Sequence, residues 1–219
     1  MHEQNAVTPH LINNIYNRND FNNSFKIKMN IIVLSGPICA GKSTVARFFK
    51  DIGYTVINSD NLAKKIIKDD DILQRKISKL FNDNNIFKGK VKWSKLREYV
   101  FLNKKNTIRY NKIVHPLFFK EINRILSNNK KNILLELPLI ETIKQLRHKK
   151  LIISVLSKIE IRKRRLIKRG IDKKLINNII LAQKSNSFYM KKSDFILHNN
   201  ATIRQLKTRF NALRDKINE

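Results

Sequence analysis

The stretch Ile31-Ile32-Val33-Leu34-Ser35-Gly36-Pro37-Ile38-Cys39-Ala40-Gly41-Lys42-Ser43 decides how the rest of this chain is read. Its first four residues are continuously apolar, as in a parallel strand buried on both faces. Gly36 to Ser43 then matches G-x-x-x-x-G-K-[ST] at every fixed position. The two glycines let the backbone turn tightly and approach anionic oxygens. The N–H groups of Cys39, Ala40, Gly41, Lys42, Ser43 and Thr44 can then cradle a polyphosphate. The helix that begins here turns its positive end toward the same place. Lys42 can reach β- and γ-phosphates, and the Ser43 hydroxyl can ligate Mg²⁺. The competing explanation is a chance match in a turn before a helix, and the flanking strand and helix argue against it. Cys39 reads as a small filler of the loop, not a nucleophile.

Working outward, strand and helix signals alternate, which specifies an α/β sheet with helices on both faces. A helix is expected from about Ser43 to Ile52, stopped by Gly53, then a strand at Tyr54–Ile57 and a helix at Asn61–Lys68. The Asp69-Asp70-Asp71 run reads as the cap of a helix at Ile72–Phe81. A mostly helical stretch follows from Trp93 to Ser127, with an interruption or kink expected at Pro116. Strands are expected at Ile133–Leu137 and Leu151–Leu156, basic helices at 159–187, a short strand at Phe195–Leu197 and a last amphipathic helix at Thr202–Ile217. Residues 1–28 are polar and Asn-rich, without sustained periodicity, and lack both a secretory core and an Arg-rich transit pattern. They read as a disordered extension or an upstream start, with one folded domain at 29–219.

The chain has 219 residues and a formal net charge of +29, from 46 Lys+Arg against 17 Asp+Glu. At 42% hydrophobic it has the apolar material for a core, which excludes a wholly disordered or fibrous chain. No run approaches the ~18 apolar residues of a membrane span. The single cysteine, Cys39, fits a reducing, cytoplasmic setting. A charge of +29 invites a nucleic-acid reading. Yet Lys and Ile each occur 32 times and Asn 27 times, together 91 of 219 residues. All three use A/T-rich codons, and the lysines are spread along the whole chain. Mutational bias on a solvated basic surface therefore accounts for much of the excess, and no nucleic-acid partner is expected.

Asp60 follows the second strand, at the carboxyl edge where ligands of open α/β sheets sit. There it can accept a proton from an acceptor hydroxyl; equally, it can cap the helix from Asn61. Arg162, Arg164, Arg165 and Arg169 cluster after the strand at 151–156, either to fork onto phosphate oxygens or as a solvated face. The run Ile133-Leu134-Leu135-Glu136 resembles a strand ending in a Walker B acid, but small kinases often do without one, and Glu136 is given little weight.

Beyond the loop, the chain resembles the dephospho-CoA kinase family of P-loop small-molecule kinases. "NIIVLSGPICAGKSTVARFF" (30–49) is similar to the family's opening and "YTVINSDNLAKKII" (54–67) to its V-I-D-A-D-x-x-A-R segment. "VKWSKLREYVFLNKKNTIRYNKIVHPLFFKEI" (91–122) resembles the L-R-x-x-V-F…H-P-L segment. "LLELPLIE" (134–141) and "SDFILHNNATIRQL" (193–206) stand where the family has V-V-P-L-L-F-E and A-D-x-V-I-D-N-N-G. The resemblance implies a nucleoside-monophosphate-kinase-like fold: a parallel five-stranded sheet, a helical acceptor-binding insertion at about 68–131 and a lid at about 160–190. It also implies transfer of the γ-phosphoryl of ATP, with Mg²⁺, to the ribose 3′-hydroxyl of dephospho-CoA. A monomer or weak oligomer is expected, though the sequence itself does not reveal the oligomeric state. On that resemblance Asp60 is the base, Arg97 and His115 hold the acceptor, and Arg164 is a lid arginine acting with Lys42. The sequence departs from the family at Asn58, where the first Asp of D-A-D stands, at Asn186, at Lys168 and Arg169, and at His198 and Ala201. The alternatives are another nucleotide kinase or a nucleic-acid-binding derivative that has lost catalysis.

Overall fold

A computed structural model describes residues 31–181 and 183–218; the expectation for residues 1–28 lies outside them. Its centre is a five-stranded parallel sheet built from β1 (Ile31–Ser35), β2 (Thr55–Asn58), β3 (Ile133–Glu136), β4 (Leu151–Leu156) and β5 (Phe195–His198), in the order β2-β3-β1-β4-β5. β1 lies between β3 and β4, with Ile32 opposite both Leu134 and Leu151, and all five of its residues are buried. Unbroken apolar strands demand this placement, because each face must be covered. From β1 the chain moves toward β2, and from β4 toward β5, in opposite directions along the sheet. The carboxyl ends of β1 and β4 therefore frame the switch point where ligands of such sheets bind.

The chain divides into two compact units. The first holds the described residues up to Ile57, Lys130–Ile143 and the chain from Lys149 onward. In it α1 (Lys42–Asp51) buries Val45, Ala46, Phe48 and Phe49, the i, i+1, i+3, i+4 stripe of an amphipathic helix. Phe49 meets Phe210 of α9 (Ile203–Asn218) edge to face, with ring centroids 4.9 Å apart, inside the cluster that also holds Ile32, Leu34, Ile153 and Val155. The helices α6 (Ile159–Lys168), α7 (Lys173–Leu181) and α8 (Asn186–Met190) connect β4 to β5. Cys39 packs with Leu166 and Ile176 in a smaller cluster there, in keeping with a filler.

The second unit, Asn58–Asn129 with Lys144–His148, is helical. It contains α2 (Ser59–Asp69), α3 (Asp71–Phe81), α4 (Trp93–Phe101) and α5 (Lys104–Ser127) around Ile67, Leu73, Ile77, Leu96 and Val114. Asp70 caps α3 by accepting the Leu73 N–H at 2.8 Å, as the Asp run foretold. Asp83 accepts from Lys95 at 2.6 Å and Tyr99 at 2.9 Å, and these two partners with the Asn85 N–H hold its carboxyl down at about 2. The interruption expected at Pro116 is absent. Pro116 lies inside the unbroken α5, and the break in the helical stretch falls at Leu102-Asn103. Asn103 is extended and accepts the Asn106 N–H at 2.8 Å, a side-chain cap that starts a new helix. The proline costs α5 one carbonyl partner, while Val114, Phe118 and Phe119 on either side of it are buried, and the helix continues through it.

Candidate active site

The loop that leaves β1 is shaped by two close approaches. A Cβ on Gly36 (φ +135°) would lie 2.2 Å from the Val155 carbonyl oxygen, and one on Gly41 (φ +108°) would lie 2.1 Å from Asn199 Nδ2. Only glycine satisfies both the backbone angle and the space. Between them Cys39 holds φ +56°, a left-handed conformation that costs a non-glycine residue about 1–3 kcal/mol unless its surroundings enforce it. Alternating left-handed residues of this kind make a concave nest of N–H groups. The Lys42 ammonium folds over the nest, donating to the carbonyls of Gly36 at 2.9 Å and Pro37 at 3.1 Å. No side chain caps α1 and no acid sits in its first turn, so its leading N–H groups keep their positive end for an anion. Ser43 is exposed and Thr44 half-buried at this end.

The loop's outer side is braced from α6 and from the end of β5. Arg162, 2% exposed, donates through Nε to the Ile38 carbonyl at 3.1 Å and through an NH₂ to Gln183 Oε1, which also accepts the Ile38 N–H at 2.9 Å. Arg165 reaches the carbonyls of Cys39 at 3.0 Å and Ala40 at 3.3 Å, and both the main-chain and side-chain oxygens of Asn199. Asn199 in turn donates to the Ala40 carbonyl at 2.8 Å. Burial pulls both guanidinium groups below the ordinary arginine range. Arg164, the arginine singled out in the sequence, is exposed. The sequence grouped Arg162 and Arg165 with a cluster aimed at phosphate or solvent, not at the loop carbonyls they hold, and gave Gln183 and Asn199 no role. The signal was the helical period: Arg162 lies four positions before the buried Leu166, and Arg165 three after Arg162 on a shared face, whereas Arg164, two from each of Arg162 and Leu166, falls on the other face.

In the helical unit Asp60 is exposed in the first turn of α2. It is not the helix cap: Asn58 takes that place and accepts the Asn61 N–H at 3.0 Å. The residue that departs from the family's first Asp thus does the capping, and the Asp60 carboxylate is spared it. Tyr110 of α5 is pushed up to about 12 by burial first and by the Asp60 charge second, so the two side chains share one neighbourhood. His115, edge-on to Phe119 at 5.9 Å, is half-buried, and burial lowers its pKa, which favours the neutral ring at pH 7. Arg97 is exposed on α4. Glu136 is buried at the end of β3, in register with Leu34.

The family model for dephospho-CoA kinase matches residues 30–205. The chain belongs to the dephospho-CoA kinase family. The enzyme of that name from Fusobacterium nucleatum is 32% identical over 180 residues, 80% of this chain and 92% of its own. The one from Blochmanniella pennsylvanica is 32% identical over 79% of this chain and 85% of its own. Among solved structures, the dephospho-CoA kinase from Campylobacter jejuni superposes with a TM-score of 0.64 at 22% identity, covering 87% of this chain and 98% of that one. That likeness establishes the P-loop kinase fold. The matched segment runs well past the loop and spans Asp60, Arg97, His115, Arg165 and Asn199, so fold and family are read from the whole domain.

Proposed function

We infer that this protein transfers the γ-phosphoryl group of ATP to the ribose 3′-hydroxyl of dephospho-CoA, giving CoA and ADP, the last step of CoA biosynthesis. The observation that carries the reading is the match to the dephospho-CoA kinase family over residues 30–205, joined to an intact loop from Gly36 to Ser43. Phosphoryl transfer asks a protein mainly for positioning and charge stabilisation. The N–H groups of residues 39–44 that do not bond within the loop, with the Lys42 ammonium, take the phosphates of ATP; those of Ala40 and Thr44 bond the carbonyls of Pro37 and Gly41. Ser43, exposed at the head of α1, offers the hard hydroxyl oxygen that Mg²⁺ accepts beside phosphate and water oxygens, and the ion neutralises phosphate charge when bound. Asp60 takes the proton of the attacking 3′-hydroxyl, Arg97 and the neutral His115 hold the acceptor, and Arg164 offers a guanidinium to the migrating group. No helix among the described residues is long and apolar enough to cross a membrane. The protein acts in the cytoplasm as a monomer or weak oligomer without a nucleic-acid partner.

Mass spectrometry of a reaction holding ATP, Mg²⁺ and dephospho-CoA tests the reading. It predicts stoichiometric CoA and ADP, with the new phosphate on the 3′-oxygen. A phosphate placed elsewhere, or ADP released without CoA, contradicts it.

A further inference from the structure

Three successive carbonyls of the phosphate loop, those of Ile38, Cys39 and Ala40, are all held from one side, by Arg162, Arg165 and Asn199 respectively. No peptide bond among the described residues is cis. In a trans peptide the N–H points opposite to the C=O of the same plane. Holding the Ile38 and Ala40 carbonyls toward α6 and the end of β5 therefore turns the N–H groups of Cys39 and Gly41 the other way, into the nest. The N–H between them, on Ala40, closes a turn onto the Pro37 carbonyl at 3.3 Å. The Cys39 carbonyl lies on the residue with the strained φ of +56°, and Arg165 is the group that reaches it.

We propose that Arg165 is a positioning residue for the loop: by fixing the Cys39 and Ala40 carbonyls and Asn199 together, it sets how tightly the Cys39 and Gly41 N–H groups grip a phosphate. Arg162 does the same for the Ile38 carbonyl. The planar guanidinium matters as well as the charge. One fork spans two loop carbonyls and the Asn199 oxygens, which a single ammonium point cannot do. The proposal rests on the reading of the loop as the ATP phosphate site, and it assigns Arg165 a role separate from that of the exposed Arg164.

Tripolyphosphate carries neither adenine nor acceptor, so its binding to the whole protein isolates the loop. Titration calorimetry with tripolyphosphate is to be run on the wild type, Arg165→Ala and Arg165→Lys, alongside the KM for dephospho-CoA. The expected result is binding about tenfold weaker in both variants, with the dephospho-CoA KM unchanged. In ¹⁵N-labelled protein the downfield shift of the Cys39 and Gly41 amide protons on tripolyphosphate addition shrinks with it. Wild-type affinity in Arg165→Lys would show that charge alone suffices, and wild-type affinity in Arg165→Ala would remove the residue from the loop's function; either overturns the proposal. If Arg165→Ala does not fold, Asn199→Ala carries the same test, with an expected loss of about threefold through one neutral hydrogen bond, and unchanged affinity there counts against the brace. A wild type that binds no tripolyphosphate refutes the ATP reading itself, a separate result.

Discussion

In the phosphate loop the groups offered to a ligand are backbone N–H donors, and the side chains around them act by holding the backbone. In the helical unit the candidate groups are side chains, Asp60, Arg97 and His115, carried on three separate helices. The difference sets which mutations matter where. A backbone site tolerates no added Cβ at Gly36 or Gly41 and depends on braces such as Arg165 that need never touch substrate. A side-chain site tolerates changes in the helix backbone and fails when one functional group is swapped.

The largest effect is expected at Lys42, which serves the loop with its own charge. Lys42→Ala should lower turnover by about 10³-fold or more, read as ADP release in a coupled assay, with the far-UV circular dichroism unchanged. Asp60→Asn is the matching test in the helical unit. It should reduce kcat by about 10²- to 10³-fold while the KM for ATP and the urea midpoint stay put, because Asp60 is exposed and Asn58 holds the helix cap. Full activity in Asp60→Asn would remove it from the mechanism.

Smaller effects separate backbone from side-chain dependence. Gly36→Ala forces a Cβ against the Val155 carbonyl oxygen at 2.2 Å and should cost about 3 kcal/mol of stability or more. Gly89→Ala, whose added Cβ meets nothing within 4 Å, should cost only about 1 kcal/mol for its left-handed angle. Equal urea midpoints for the two variants would contradict the crowded geometry. The smallest effect is on pH. Burial lowers the pKa of His115 in one unit and of His198 in the other, with Arg209 adding to the second. The unfolded chain then binds more protons than the folded one just below the ordinary histidine range. Stability should fall as pH drops from 7.5 through about 6.5 to 5.5. His115→Asn and His198→Asn should each flatten part of that slope in urea titrations.

The order of strands and helices was legible because buried parallel strands and amphipathic helices leave period signals that short-range physics imposes. The loop was legible for the same reason, since tight backbone approach admits few residues at Gly36 and Gly41. Pro116 does not interrupt α5 because a local rule, proline against helix, is outweighed by the packing of Phe118 and Phe119, which no window of sequence displays. The arginine cluster misled in the other direction. Counted as charge, Arg162 to Arg169 looked like a solvated face or a lid, yet Arg162 is 2% exposed and Arg165 binds the loop. Taken against Leu166, the helical period would have separated Arg162, four positions before it, from Arg164, two positions before it. Asn58 could be seen as a departure from the family but not as the cap of α2, because an Asx side chain serves equally in caps and turns.

The most direct test of the central claim is ADP release by the purified protein with ATP and Mg²⁺, offered dephospho-CoA, AMP, UMP or RNA in parallel. Turnover with dephospho-CoA alone, one ADP for each CoA formed, is the predicted result. Preferred turnover of AMP or UMP, or salt-sensitive RNA binding with no ADP released in any arm, would contradict it.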